Sequence, residues 1–430
     1  MTLRERDRNS VWHPYTQVQT ADPPIAIVRG EGARVFDESG KTYIDAVSSW
    51  WVNIHGHCNP RIAAAIAEQA ARLEHVIFAG FTHIGAVELA ERLLAILPGN
   101  LSKIFYSDDG STAVEVAVKM ALQYWHNRRE SKTSIIAFEN AYHGDTFGAM
   151  SVSGDSAFTA PFAPLLFPVV RIPAPFHGRE RESIAAMEKA LESGNAAAFL
   201  FEPLVMGTAG MLMYEPEPLD TLIAMCRAKG VPTIADEVFT GFGRTGKYFA
   251  CDYIEHKPDI ICLSKGITGG FMPFGATACS EEIFGAFLSD DKMKTFFHGH
   301  SYTANPLACA AALASLDILQ RSDCMERIRY INARHNATAE RLRAFPSVKE
   351  ARVTGTILAV ELHTQGGTSY FSAVRDAAYR FFLGKGIIMR PLGNIIYFLP
   401  PYCITELEMT AVEEAMEEWV RRTKTRVLEK

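Results

Sequence analysis

The 430-residue sequence lacks the features of a secreted, membrane-spanning or nucleic-acid-binding protein. Its 43 lysines and arginines are outnumbered by 49 aspartates and glutamates, so no basic excess points to nucleic acid or an anionic membrane. No run of about 18 residues is free of charges and helix-breaking residues, which predicts no transmembrane helix. The first ten residues, MTLRERDRNS, contain no apolar segment and predict no secretory signal.

Cysteine pairs are also missing. The eight cysteines are scattered through apolar surroundings and none belongs to a CxxC pair. A zinc site or a disulfide framework needs closer spacing, so the cysteines are interpreted as reduced, mostly buried thiols. The sequence therefore predicts no metal site and a cytoplasmic protein.

What is present is ordinary globular composition, 48% hydrophobic and 21% charged, in a chain long enough for about two to three domains. The central part alternates short apolar runs with helical patterns, which is typical of an α/β fold with parallel βαβ units. After about residue 320, a long charged helix pattern and short strands predict a smaller α+β domain. We expect an N-terminal segment at 1–48, a large domain at 49–320 and a small domain at 321–430. The predicted strands are Lys103–Tyr106, Ser134–Phe138, Ala198–Phe201, Thr233–Ala235 and Asp259–Leu263 in the centre, and Ile25–Arg29, Arg34–Asp37, Thr356–Leu362, Ile387–Met389 and Ile395–Phe398 outside it.

The first segment that could carry chemistry follows the strand ending at Tyr106. Thr112 and Glu115 fit a capping box, which predicts a helix N-terminus beside Gly110 and Ser111. Free backbone N–H groups and the Ser111 hydroxyl would suit a phosphate. An ordinary capped helix is the alternative interpretation.

Two further strand ends carry ionisable residues. Asp236 follows one strand, with Glu237 beside it, and Lys265 follows the next apolar run. A pair of solvated carboxylates and a solvated lysine are the alternatives. The intervening GFGRTG matches the dinucleotide fingerprint, but no helical pattern follows it, so a nicotinamide site is not favoured.

Together, a phosphate cradle, a carboxylate and a lysine at strand ends meet the needs of pyridoxal phosphate. That cofactor needs a Schiff-base lysine, an acid beside its pyridine nitrogen and an anchored phosphate. Partial desolvation would keep the lysine amine neutral and nucleophilic. The sequence therefore predicts an enzyme that uses pyridoxal phosphate.

The same residues resemble the class III aminotransferase signature: Ala235-Asp236-Glu237, then GFGRTG and Ser264-Lys265-Gly266. The resemblance covers essentially the whole chain. It implies the fold type I architecture of pyridoxal-phosphate transferases, with a large domain around a mostly parallel seven-stranded sheet, a smaller α+β domain, and a homodimer with shared active sites.

Three stretches resemble the branch of that family that aminates 8-amino-7-oxononanoate in biotin biosynthesis: WHPYT at 12–16, SSWWVNIHG at 48–56 and NAYHGDT at 140–146. Carried over by position, the resemblance implies that Lys265, Asp236 and Tyr142 are catalytic. It implies that Gly110, Ser111, Tyr142, Asp236, Lys265, His300 and Ser301 hold the cofactor. It implies that Tyr15, Trp50, Tyr142, Lys265, Arg390 and, from the partner subunit, Gly299 contact substrate.

One stretch departs from the commoner family pattern. Where many members have His-Gly-Pro-Thr-Phe, this chain has His298-Gly-His300-Ser301-Tyr. Ser301 retains a hydroxyl for the partner subunit's cofactor phosphate, whereas His300 adds an ionisable ring. The amino donor stays open between S-adenosylmethionine, which is favoured, and lysine. The competing functions are another class III ω-amino-acid aminotransferase, a nicotinamide oxidoreductase and a non-catalytic cofactor-binding protein.

Overall fold

A computed structural model describes residues 1–364, 368 and 372–423. The strands are β1 Ile27–Glu31, β2 Arg34–Asp37, β3 Thr42–Asp45, β4 Leu101–Ser107, β5 Ser134–Phe138, β6 Val169–Ile172, β7 Ala196–Phe201, β8 Val205–Met206, β9 Leu212–Met213, β10 Thr233–Asp236, β11 Ile260–Leu263, β12 Gly275–Ser280, β13 Val348–Thr354, β14 Ile357–Leu362, β15 Ile387–Ile388 and β16 Ile395–Phe398.

The helices are α1 Leu3–Ser10, α2 Ser48–Trp51, which is a single left-handed turn, α3 Pro60–Ala70, α4 Ile84–Ile96, α5 Gly110–Asn127, α6 Phe147–Val152, α7 Glu180–Glu192, α8 Pro216–Ala228, α9 Glu281–Gly285, α10 Pro306–Leu319, α11 Ser322–Arg343, α12 Ala373–Gly384 and α13 Glu406–Arg422. Short 3₁₀ helices cover Ala160–Leu165, Ala250–Tyr253, Lys265–Thr268 and Lys292–Lys294. Among the described residues, no helix is both long enough and apolar enough to span a bilayer.

A seven-stranded sheet organises the molecule, in the order β4-β12-β11-β10-β7-β5-β6. Strand β12 runs antiparallel to both of its neighbours, and the pairs from β11 to β6 are parallel. The five predicted central strands all lie in this sheet, whereas β6 and β12 were not predicted. The expected α/β fold with a mostly parallel seven-stranded sheet is thus confirmed.

Both faces of this sheet are buried, as parallel strands require. Helix α5 lies against one face through small and apolar side chains that include Ala113, Val114 and Ala117, all fully buried. Its close approach places the N-terminus of α5 directly after the end of β4. Helix packing therefore fixes where a phosphate-binding helix end would lie.

A second sheet joins the two ends of the chain, in the order β1-β2-β3-β15. Strand β15 pairs parallel with β3, with Ile387 opposite Ile44 and Ile388 opposite Asp45. The segments that follow two parallel neighbours emerge at the same edge. A third sheet, β13-β14-β16, packs against α11.

Candidate active site

The carboxyl ends of five strands surround one cavity of about 400 Å³. Strand β4 leads to Gly110 and Ser111, β5 to Tyr142, β10 ends at Asp236 and β11 leads to Lys265. All five residues line the cavity, together with Glu202, which follows β7. Ligands of open α/β sheets bind at this edge, and the sequence-predicted cofactor residues of this subunit are brought together there.

Lys265 is half-buried and has a backbone φ of 45°, in the left-handed region. Its ammonium lies 4.6 Å from the ring centroid of Trp51 and 5.6 Å from that of Phe239. Desolvation among these rings lowers the pKa of Lys265 to about 8, despite the opposing charges of Asp236 and Glu202. A substantial neutral fraction near neutral pH makes this amine a nucleophile and a base. The solvated-lysine alternative is wrong.

Asp236 is buried and firmly oriented. Its Oδ2 lies 2.7 Å from Nδ1 of His143, and its Oδ1 accepts a hydrogen bond of 3.1 Å from the backbone of Val238. Glu237, also buried, accepts hydrogen bonds from the backbone of Ala250 and Cys251. Burial raises the pKa of Glu237 to about 7. The two carboxylates are therefore not a solvated pair: Asp236 faces the cavity and Glu237 supports a turn.

The N-terminus of α5 provides a cradle for an anion. Asp109 is its N-cap: its carboxylate accepts from the backbone of Thr112 at 2.8 Å, and Thr112 Oγ1 accepts from the backbone of Asp109 at 2.9 Å. A Cβ on Gly110 would lie 2.7 Å from Val238, so only glycine fits there without displacement. The Ser111 hydroxyl accepts from the backbone of Asp145 at 3.2 Å.

The predicted capping pair of Thr112 with Glu115 is wrong, although the helix does begin there. Glu115 instead accepts hydrogen bonds of 2.6 and 3.1 Å from the backbone N–H groups of Gly148 and Ala149. Those groups belong to the first turn of α6, where donors need an external acceptor. Glu115 therefore joins α5 to α6, and Asp109 takes the capping role.

The tryptophan pair lies in a left-handed turn. Ser48, Ser49, Trp50 and Trp51 have φ values of 50°, 46°, 68° and 76°. Such a conformation costs roughly 1–2 kcal/mol per non-glycine residue. Hydrogen bonds from Ser48 Oγ to the Leu399 carbonyl and from Trp51 Nε1 to the Tyr397 hydroxyl hold it. Trp51 is consequently buried beneath Lys265, and Trp50 is 39% exposed.

A row of side chains leads from the cavity to Arg390. The hydroxyls of Tyr142 and Tyr15 are 3.5 Å apart, and Tyr15 also donates to Asp145. The rings of Tyr15 and Trp50 meet edge-on at 5.5 Å, and the Arg390 guanidinium lies 4.3 Å from the centroid of Trp50. The pairing of β3 with β15 brings Trp50 and Arg390 together across the length of the chain.

This row borders a second cavity of about 760 Å³, which Tyr15 and Arg390 line beside the N-terminal segment and α12. Among the described residues, no carboxylate forms an ion pair with Arg390. Gly299, His300 and Ser301 do not line either cavity of this chain.

Sequence reasoning missed three residues of the site. His143 orients Asp236. It lies in the NAYHGDT stretch, and its position next to Tyr142 was the signal that could have identified it. Glu202 accepts hydrogen bonds of 3.0 Å from the backbone of Tyr142 and Gly207, and burial raises its pKa to about 7. Arg244, within GFGRTG, is buried and donates to the carbonyls of Pro400 and Trp51. The glycine-rich segment thus supports the tryptophan turn.

Comparison with known proteins agrees with this geometry. The family model "Aminotransferase class-III" matches residues 15–420. A relative from Synechococcus elongatus, named adenosylmethionine-8-amino-7-oxononanoate aminotransferase, is 49% identical, and the match covers 94% of this chain and 97% of the relative. A relative of the same name from Geobacter sulfurreducens is 42% identical over 97% of this chain and 96% of its own.

Solved structures give the same result. The crystal structure of adenosylmethionine-8-amino-7-oxononanoate aminotransferase from Methanocaldococcus jannaschii has a TM-score of 0.91 at 37% identity, covering 97% of this chain and 98% of that one. An ω-transaminase from Pseudomonas jessenii in complex with PMP has a TM-score of 0.91 at 28% identity, covering 100% and 99%. The chain belongs to the class III aminotransferases, enzymes that use pyridoxal phosphate as cofactor.

Proposed function

We propose that this enzyme transfers an amino group to 8-amino-7-oxononanoate, forming 7,8-diaminononanoate in biotin biosynthesis, with S-adenosylmethionine as the donor. The observation that carries this proposal is the row Tyr142, Tyr15, Trp50, Arg390, which begins at the lysine cavity and ends at a guanidinium. The relatives named above supply the substrate. Nothing about the glycine-rich segment, which is followed by a 3₁₀ helix, favours a nicotinamide enzyme.

The residues present fit pyridoxal phosphate. The N–H groups at Gly110 and Ser111 would hold the phosphate, in a cradle that a Cβ on Gly110 would partly fill. Asp236 would pair with the pyridine nitrogen and Tyr142 would lie against the ring. Lys265 would attach the cofactor through its amine. When bound, pyridoxal phosphate acts as an electron sink that makes the substrate α-carbon acidic.

Lys265 is proposed as the base that removes and returns that proton. Its lowered pKa, about 8, supports the role because a base must be neutral when it accepts a proton. Trp51 and Phe239 exclude water from one side of the ammonium, which maintains this pKa. Buried Asp236, oriented by His143, is the carboxyl group proposed to pair with the pyridine nitrogen.

The rim of the site is proposed to recognise the acceptor, where "rim" denotes Tyr15, Trp50 and Arg390. The acceptor is an aliphatic chain with a carboxylate at one end and an amino ketone at the other. Flat aromatic faces suit the aliphatic part, and a guanidinium can bind the carboxylate bidentately.

We further propose that the protein is a cytoplasmic homodimer with shared active sites. Each subunit is proposed to consist of an N-terminal segment at 1–48, a large domain at 49–320 and a small domain at 321–430. An exposed apolar surface supports self-association: Ile77, Phe81 and Ile84 lie beside the segment that carries Phe297 and Tyr302, and each is at least 60% exposed. The two segments are joined by a hydrogen bond from Asn305 to the Glu74 carbonyl. Surfaces of this kind mark protein–protein interfaces.

The proposal also names the amino donor, S-adenosylmethionine. Exposed aromatic faces at Trp50 and Tyr15 can accept a sulfonium or an adenine by cation–π attraction and stacking. The decisive experiment is a half-reaction without acceptor, in which each amine is added separately to the holoenzyme. We expect S-adenosylmethionine to bleach the cofactor's visible band and lysine to leave it unchanged.

Other outcomes are equally clear. Bleaching by lysine alone would overturn the donor and leave the acceptor assignment in place. Bleaching by ornithine or 4-aminobutyrate, with no turnover of 8-amino-7-oxononanoate, would replace the proposed function with that of an ω-amino-acid aminotransferase. The acceptor itself is tested by adding 8-amino-7-oxononanoate to the bleached enzyme, which should restore the visible band.

A further inference from the structure

The loop at residues 298–301, which departs from the commoner family pattern at His300 and Ser301, belongs to a continuous polar string in the structure. Lys119 Nζ lies 2.9 Å from His298 Nδ1, and His298 Nε2 lies 3.0 Å from His300 Nε2. His300 Nδ1 in turn lies 3.1 Å from Asp108 Oδ2. The string "Lys119–His298–His300–Asp108" therefore ties this loop to α5 at one end and to the residue after β4 at the other.

The groups at the two ends of the string, Lys119 and Asp108, determine which nitrogen of each imidazole carries the hydrogen. An ammonium has only donors, so Nδ1 of His298 must accept and its hydrogen is on Nε2. That hydrogen is donated to His300 Nε2, which leaves the hydrogen of His300 on Nδ1, facing the Asp108 carboxylate. All four groups are satisfied when both imidazoles are neutral and carry opposite tautomers.

Successive residues of this loop alternate between half-buried and exposed positions. His298 and His300 are half-buried and face the body of the subunit, whereas Phe297, Gly299 and Ser301 are exposed. The Phe296 ring stacks on His298 at 5.7 Å, and the His300 backbone donates to Thr303 Oγ1 at 3.0 Å. Anchoring the inward residues thus sets the position of the outward ones.

We propose that His298 and His300 are positioning residues that hold Gly299 and Ser301 in place for the partner subunit's active site, and only while both imidazoles are neutral. This inference rests on the proposed homodimer with shared sites. Ser301 would then meet the partner's cofactor phosphate at an orientation that the string determines. His300 stands where many family members have proline, and its hydrogen bonds would take over the stiffness that a proline would give this loop.

Protonation breaks the string because an imidazolium has no acceptor atom. The charged groups facing the pair are Lys119 and Glu115 from α5 and Asp108 after β4. Burial, Lys119 and His300 together lower the pKa of His298 below 6.5, against an opposing contribution from Glu115. His298 is therefore neutral above about pH 6.5, and the string is lost as the pH falls through the lowered pKa of His298.

Two substitutions of His298 separate titration from packing. His298→Gln keeps an acceptor and a donor but cannot be protonated, and His298→Phe keeps the ring against Phe296 but has neither. The measurement is the dissociation constant for pyridoxal phosphate between about pH 5.5 and pH 8.5. His177→Gln, at a fully exposed histidine, is the matched control.

At about pH 8 we expect His298→Phe to weaken cofactor binding about tenfold and His298→Gln by about threefold or less. As the pH falls through the lowered pKa of His298, the order of wild type and His298→Gln should reverse, because only the wild type loses its string. Parallel pH profiles for wild type and His298→Gln would overturn the inference. The affinity for pyridoxal phosphate is measured without the keto acid. If the enzyme failed to turn over 8-amino-7-oxononanoate, that result would refute the proposed function and leave this inference standing.

Mixed dimers test action across the interface. Consider a dimer of one Lys265→Ala subunit and one His298→Phe subunit. If each loop serves the partner, the site of the His298→Phe subunit contains Lys265 and receives an unsubstituted loop, so it is intact. If each loop serves its own subunit, neither site is intact. We expect such mixtures to bleach with donor as one normal site, with wild-type cofactor affinity. If instead the remaining site shows the weakened affinity of His298→Phe, the loop serves its own subunit and the inference is wrong.

Discussion

The floor of the site and its rim are built in different ways, where "floor" denotes Gly110, Ser111, Tyr142, Asp236 and Lys265. Each floor residue follows or ends a strand of the seven-stranded sheet, so one sheet edge positions all of them. The rim comes from an N-terminal segment, a left-handed turn and the end of β15. Asp236 is buried and the other floor residues are half-buried, whereas Tyr15 and Trp50 are 40% and 39% exposed.

The difference separates common chemistry from specificity. A sheet edge holds buried groups rigidly, which cofactor chemistry in both half-reactions requires. A rim assembled from distant segments can change without disturbing the sheet. We therefore expect floor substitutions to impair both half-reactions and loss of the Arg390 guanidinium from the rim to impair mainly the reaction of the acceptor.

The largest effect is expected for Lys265→Ala. Loss of the proposed base and attachment point should reduce turnover by about 10⁴-fold or more in both half-reactions, and should remove or shift the cofactor's visible band. Stopped-flow absorbance measures both. Lys189→Ala, at an exposed lysine on α7, is the control and should behave as wild type. Retained turnover in Lys265→Ala would place the base elsewhere.

Asp236→Asn should come next, with a loss of about 10²–10³-fold in both half-reactions and the cofactor still bound. The amide removes the negative charge but preserves the side chain's size, so His143 keeps a partner. Single-turnover rates with donor and with acceptor check this. If only one half-reaction slowed, Asp236 would not serve the cofactor common to both.

Arg390→Ala tests the rim. We expect a loss of about 2–4 kcal/mol in kcat/KM for 8-amino-7-oxononanoate and a much smaller loss for S-adenosylmethionine. Arg390→Lys should recover only part of the loss, because an ammonium cannot bind a carboxylate bidentately. Equal losses for donor and acceptor would mean that Arg390 serves a carboxylate site common to both substrates.

Four of the five floor residues could be predicted from sequence because strand ends are local signals, whereas Tyr142 was assigned only by resemblance. The five central strands are apolar runs that end at residues able to carry chemistry, and all five fall in the sheet. Strand β12 was missed because its six residues, GATACS, are mostly small and lack the bulky β-branched pattern. Four-residue β6 was also missed.

The rim could be assigned only by resemblance, because its geometry depends on tertiary contacts. The turn at Trp50 is held by Leu399 and Tyr397, and no local pattern of SSWW predicts four left-handed residues. Tertiary contacts also decide the role of Glu115, beside the floor. The pattern Thr112-x-x-Glu115 fits a capping box, but Glu115 instead accepts a hydrogen bond from the first turn of α6.

A pH profile tests the floor in a different way. The half-reaction that returns the amino group to the acceptor begins with Lys265 free, and its pKa is about 8. Because the neutral amine is the base, the rate should rise about tenfold per pH unit below about pH 8 and level off above it. Single-turnover rates from about pH 6 to pH 9 measure this. A flat profile would show that lysine deprotonation does not limit the step.

The smallest effect is expected for Tyr15→Phe, which tests the junction between floor and rim. The Tyr15 hydroxyl donates to Asp145 and lies 3.5 Å from that of Tyr142, while its ring contacts Trp50. Phenylalanine keeps the ring and removes both polar contacts, so kcat/KM for the acceptor should fall by about 0.5–1.5 kcal/mol. Tyr253→Phe, outside both cavities, is the control. Because Tyr142 belongs to the floor, a loss shared by both half-reactions would assign Tyr15 to the floor, whereas a loss confined to the acceptor keeps it in the rim.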